Sequence, residues 1–195
     1  MGWSYFPIGI VCPVISEEPD FLEEDGRTER PMRRRDRELS FTDTLRVIRN
    51  ADYAVLSTVD EAGYPYGVPV SPVLEGEKHL YFHSTRALSR KADNMLGNPK
   101  VSLCFVASQK TLPLEFTVDY ASAVVAGRAC LVMDDEERRH AALLICARHA
   151  LEAGKEKAEA YYAEGGRAIT IWRVAIESAT GKSRGWDRIS AGLAR

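Results

Sequence analysis

Residues 78–103 read KHLYFHSTRALSRKADNMLGNPKVSL, a strand that runs into a short basic helix and out into another strand. Side chains alternate over 79–83, where Tyr81 and Phe82 add β-propensity. Ser84 and Thr85 offer hydroxyl caps for a helix start, and Arg86, Arg90 and Lys91 follow. A helix would carry Arg86 and Arg90 on one face. A helix start presents unpaired N–H groups and partial positive charge, and arginine adds a planar fork of donors, so the segment suits a phosphate. Asn98-Pro99 ends the helix, because the residue before proline is pushed out of the α region. By chemistry alone the stretch proposes an anion site; a solvated cationic helix face would use the same residues.

Working outward, the flanking sequence alternates as strands do. A first strand is expected over 53–59, with turn chemistry in DEAGYP at 60–65. A second over 66–74 returns as a hairpin, and Glu75-Gly76-Glu77 turns the chain into the strand at 79–83. Pro69 and Pro72 fall inside the second strand and cannot donate to a ladder. They imply an edge, a bulge or a ligand against the strand. Further strands are expected over 101–106, 122–133 and 168–176, with Gly127 marking a bulge or a close backbone approach. Helices are expected from Thr42, where Phe41, Leu45 and Ile48 recur at helical spacing, from Asp134 to Gly154, and over 155–164. Residues 180–195 read as a polar tail containing Trp186. Six mostly antiparallel strands with peripheral helices predict a small barrel, since a doubly wound sheet needs regular strand–helix alternation.

A chain of 195 residues, 45% hydrophobic, can bury one good core. Its net charge of −2 argues against a nucleic-acid binder, which needs a basic face. Cys12, Cys104, Cys130 and Cys146 are scattered, without a CxxC pair or a histidine at ligand spacing, so they read as buried thiols in a reducing cytoplasm and no metal site is expected. No apolar run is long enough to span a bilayer, and no basic region opens a secretory signal.

Residues 1–31 differ from the rest. An apolar start broken by Pro7, Gly9 and Pro13 gives way to an acidic run without periodicity, which reads as a poorly ordered extension. An arm anchored on a partner by Trp3, Tyr5 and Phe6 is the alternative. The folded unit is expected to begin at Met32 and to occupy 32–183, with 184–195 as a tail.

His83, at a strand end, could be a ligand, a proton carrier or a satisfied structural histidine. The sequence has no GxSxG, HExxH, GxGxxG or P-loop pattern, so no catalytic residue can be named; a bound cofactor would have to carry any chemistry.

In order along the chain stand MRRRDREL, STVDEAGYPYGVPVSPV, LYFHS followed by RK and NPKVSL, YASAVVAGRACLV, DDEERRHAALL and ATGK. Together, over residues 32–183, they resemble the nitroimidazole-resistance (Nim) branch of the pyridoxamine 5′-phosphate oxidase-like family. The resemblance implies a six-stranded antiparallel FMN-binding split barrel. It also implies a homodimer with FMN at the subunit interface, each site built from both subunits, acting on a small molecule. It would set Val68, Pro69, Val70 and Ser71 along the flavin and ribityl chain, and Ser84, Arg90 and Lys91 at the phosphate. His83, Tyr120 and Ser122 would lie close to the same site. One departure is Val68, where the pyridoxamine oxidases proper carry a basic residue; their C-terminal substrate residues also have no match here. The resemblance therefore implies a flavin-dependent oxidoreductase, with nitro compounds among its candidate substrates, rather than a vitamin-making enzyme. A non-catalytic flavin- or heme-binding module is the alternative.

Overall fold

The computed structural model describes residues 31–85 and 89–193. Helix α1, Phe41–Asn50, is followed by strands β1, Ala54–Val59, β2, Pro65–Val70, β3, Val73–Glu75, and β4, His79–Thr85. Helix α2, Arg90–Gly97, leads into the long hairpin of β5, Lys100–Leu112, and β6, Thr117–Leu131. Helices α3, Asp135–His149, and α4, Lys155–Gly165, precede β7, Ile169–Arg184, and the short α5, Trp186–Ile189.

All pairings are antiparallel, in the order β2-β1-β5-β6-β7-β4-β3. The edge strands β2 and β3 are consecutive in sequence, joined only by Ser71 and Pro72. A flat sheet would hold those edges about 29 Å apart, whereas the link from Val70 to Val73 reaches about 10 Å. The sheet must therefore curl into a barrel with a gap between β2 and β3. That gap also accounts for seven strands where six were expected: Pro72 cannot continue the ladder, and the run at 66–74 divides into β2 and β3. Pro69 sits opposite Val55 on an edge strand, as its missing N–H allows.

The barrel interior holds Leu56, Leu80, Phe82, Leu103, Phe105, Val125, Trp172 and Val174, with Leu45, Val47 and Ile48 of α1 and Met95 of α2 packed into it. A second cluster forms outside the barrel, where Tyr81 and Ile171 meet Ala141, Ala142 and Ile145 of α3. Strands β4 and β7 are thus covered on both faces. A buried polar triad fastens α3 there: the Tyr81 hydroxyl donates to Glu137 Oε1 at 2.9 Å and Arg173 Nη1 donates to the same oxygen at 3.0 Å. Burial and then the Glu137 carboxylate push the Tyr81 phenol well above its ordinary pKa.

Gly127 satisfies both readings made of it. The β6–β7 register shifts between Ala126 and Gly127, and a Cβ there would overlap the Ala175 carbonyl.

Other expectations need correction. α1 is capped by Ser40, which accepts from Asp43 N, rather than by Thr42. α3 ends at His149, and Gly154, with φ 77°, starts α4 instead of closing α3. Residues 180–193 are not a loose tail. β7 runs to Arg184, and the buried Asp119 accepts from Arg184 Nη1 at 3.2 Å and Arg188 Nε at 2.8 Å. Arg46 donates to the carbonyls of Ser190 and Leu193, while Trp186 and Ile189 pack on the core. Four buried thiols are not found: Cys104 is exposed, Cys146 is half-buried, and Cys130 is disulfide-bonded. Residues 1–30 lie outside the described residues. Among the described residues no helix is long and apolar enough to cross a membrane.

Candidate functional site

The strand at 79–83 continues through Ser84 and Thr85, which pair with Thr170 and Ile169 of β7. The helix therefore starts later than its sequence suggested. Ser89 is the N-cap of α2, and its hydroxyl accepts from Ala92 N at 3.4 Å. Strand pairing and the burial of Ser84 outweigh the capping chemistry of the two hydroxyls, because the Ser84 side chain points inward and accepts from Trp172 Nε1 at 3.3 Å. Arg86 lies outside the described residues.

Arg90 and Lys91 form the first turn of α2, so their backbone N–H groups have no intrahelical acceptor. The helix is anchored beside the β1–β2 turn, where Asn94 Nδ2 donates to Thr58 Oγ1 at 2.9 Å. Asp60 spends Oδ1 on the N–H groups of Ala62 and Tyr64 and turns Oδ2 toward Arg90 Nη2 at 3.4 Å. The guanidinium lies 4.8 Å from the centre of the Tyr66 ring, a stacking geometry that holds it in place. One of its five N–H donors meets Asp60. The rest, with the helix N-terminus and the half-buried Lys91, make a cationic corner suited to a phosphate.

Strand β2 runs from that corner. Val70 is buried and Val68 packs on the core, while Pro69 and Ser71 face outward. β2 pairs on one side only, so its outer edge presents unpaired backbone groups. Such an edge can match the alternating donors and acceptors along the rim of a flat heterocycle. Arg90, Lys91 and residues 68–71 are thus brought to one side of the barrel.

Tyr120 and Ser122 are not part of this corner. They sit on the outward face of β6, three strand spacings or about 14 Å along the sheet from β2, and Ser122 Oγ donates to the Lys182 carbonyl. His83 alternates with Ser84, so its side chain leaves the barrel toward α3 and α4 and lines a cavity of about 350 Å³ there. Sequence reasoning missed Ser89, Asp60 and Tyr66. The serine directly before RKAD was the signal for the first; the other two are brought to Arg90 only by folding.

Between the hairpin strands the outward face is apolar. Register sets Pro69, Val55, Cys104 and Val124 in a row across four strands, and Val55, Val106 and Val124 are 38%, 50% and 44% exposed.

A family profile described as pyridoxamine 5′-phosphate oxidase matches residues 42–181. Comparison with curated protein sequences found no match. Among solved structures, a candidate 5-nitroimidazole antibiotic resistance protein from Bacteroides thetaiotaomicron is 24% identical, with a TM-score of 0.60 over 75% of this chain and 86% of that one. A FAD-binding protein from Mesorhizobium loti is 21% identical, with a TM-score of 0.53 over 76% and 98% of the two chains. An FAD- and heme-binding protein from Mycobacterium smegmatis is 19% identical, with a TM-score of 0.56 over 80% of each chain. These likenesses are of fold, an antiparallel split barrel with peripheral helices. With the profile spanning well over half of its length, the chain belongs to the pyridoxamine 5′-phosphate oxidase family.

Proposed function

We propose that the chain binds FMN as a homodimer and uses it to reduce a small molecule, nitro compounds being the first class to test. The observation that carries the reading is the corner formed by Arg90, Lys91 and the α2 N-terminus at the head of an unpaired strand edge. The phosphate would sit against the α2 N–H groups and the two cations, with the ring system along residues 68–71. The residues fit the group: the donor set is cationic at the phosphate end and peptide-like along β2. When bound, the flavin supplies the electron transfer; the chain binds, orients and shields it. Fold relatives described as FAD-binding and as a candidate nitroimidazole resistance protein support the assignment.

The dimer reading rests on the row of Pro69, Val55, Cys104 and Val124. An exposed apolar patch of this kind suits association, and a two-fold axis through it would pack the row on the same row of a second copy. Packing it on a second copy would give Tyr120 and Ser122 a route to the partner's cofactor, which they lack within one chain.

The relative from Mycobacterium smegmatis that binds FAD and heme favours a second reading, a carrier without turnover. The two separate on one assay: oxidation of NADH or NADPH by the purified protein with a nitroaromatic acceptor. Turnover above that of equal free FMN supports the enzyme; a rate equal to free FMN supports the carrier.

A further inference from the structure

A second cavity of about 350 Å³ lies on the flank of α3 turned away from His83, apart from the one that Tyr161 and Tyr162 line under α4. The helix period accounts for it. α3 gives Ala141, Ala142 and Ile145 to the cluster over β4 and β7. The same period sets Leu143 and Ala147 on a neighbouring face, with Leu144 at the border between the two. α4 covers that face incompletely. The turn Leu151–Ala153 brings the chain back and a salt bridge from Arg139 to Glu159 at 3.1 Å ties the helices, yet α4 has no buried residue and Leu151 is left 73% exposed. Packed interiors leave few voids larger than a water molecule, and a space of this size falls in the range of small-molecule sites, roughly 300–1,000 Å³.

The wall sets the chemistry of an occupant. Along its length stand Leu143, Leu144, Ala147 and Leu151, aliphatic groups that suit a methylene chain. From His140 to Ala150 the cavity follows α3, a run of roughly 15 Å at the helix rise, so a long, unbranched chain fits it. The ends are polar. At one, His140 is taken up by Glu75. At the other, Lys155 stands in the wall, and no acidic side chain among the described residues pairs with its ammonium. An ammonium at the mouth of an aliphatic cavity, its stem along the apolar wall, complements a carboxylate.

We propose that this cavity binds an unbranched fatty carboxylate of medium chain length, the chain lying along Leu143, Leu144, Ala147 and Leu151 and the carboxylate meeting Lys155. None of these residues belongs to the α2 corner or to residues 68–71, so the site goes beyond the flavin reading and does not depend on it.

Calorimetry on the full chain tests this, with decanoate held below the concentration at which it forms micelles and compared with decylamine, the same chain with the opposite charge. Decanoate should bind more tightly than decylamine. Burying a methylene contributes a factor of about four, so affinity should climb from hexanoate through octanoate to decanoate. Lys155→Gln should weaken decanoate about threefold, the weight of one exposed ion pair, and leave decanol unchanged. Ala147→Phe fills the cavity from an exposed helix position and should abolish binding with the melting temperature retained. If that variant fails to fold, Leu151→Asp, on the exposed turn, should abolish binding in its place. Equal affinity for decanoate and decylamine, no gain with chain length, or full binding by a folded Ala147→Phe overturns the proposal. So does a parent that ignores decanoate while Leu151→Asp lowers the mass found by light scattering, a result that would assign the leucine face to contact between copies.

Discussion

Replacing Arg90 and Lys91 together by alanine removes both cations from the α2 corner and leaves the Ser89 cap and the Asn94–Thr58 bond intact. A hydrogen bond to a charged group contributes about 1.5–3 kcal/mol. Arg90 is 52% exposed and shares its guanidinium with Asp60, so solvent screening puts its contribution at the lower end. Removing two such hydrogen bonds costs about 3 kcal/mol, or roughly a hundredfold in affinity. Quenching of flavin fluorescence on titration measures this directly for FMN and for riboflavin, which lacks the phosphate. The variant should bind FMN about a hundredfold more weakly and riboflavin about as well as the parent. Asp60→Asn should cost FMN only a few-fold, since it loosens Arg90 without removing it. Equal weakening of both ligands would refute the reasoning, because the residues would then be supporting the fold; no weakening would place the phosphate elsewhere.

Three further outcomes are expected. Glu137→Ala leaves Arg173, 6% exposed, facing Tyr81 without the carboxylate; unfolding should be easier by about 3–5 kcal/mol, a drop of roughly 6–20 °C in Tm. Glu137→Leu with Arg173→Met should recover most of the loss, and a single-variant cost under about 1 kcal/mol would show the triad to be peripheral. His149, which meets the Pro72 carbonyl at 3.2 Å, has its pKa lowered from 6.5, chiefly by burial. Its unfolded form takes up a proton first as pH falls, so stability should be level above pH 6.5 and decline below it until the folded pKa is reached. Urea midpoints across that range should show the slope in the parent and a smaller slope in His149→Gln; identical slopes would remove His149 from the account. Val124→Arg sets a charge in the middle of the outward apolar row and should convert a dimer into a species of 21.7 kDa by light scattering. A parent chain already at that mass would contradict the interface.

The parts of the fold legible in sequence were those set by local chemistry. Alternation around Tyr81 and Phe82, the turn at 60–65 and Gly127 all mark features that a residue imposes on its own neighbourhood. Boundaries set by partners were not legible. Ser84 and Thr85 look like caps, yet β7 supplies ladder partners and Trp172 supplies a donor, both from far along the chain. The same holds at the C-terminus, where a polar run becomes structure because Asp119 and Arg46 hold it. At the candidate site the cations were readable as a cluster, but their setting was not: Asp60 and Tyr66 reach Arg90 only when the β1–β2 turn folds against α2. The cavity under α4 left a faint trace, an alanine-rich helix with paired tyrosines, which no local rule converts into a pocket.

The central claim is that the α2 corner and the edge of β2 hold a flavin phosphate. Its most direct test is the visible absorption spectrum of the freshly purified full chain, followed by release and chromatographic identification of any chromophore, with FMN added where none is carried. The account predicts flavin bands and FMN bound at one per chain. A chain that carries only heme, or that arrives colourless and takes up neither FMN nor riboflavin, would contradict it.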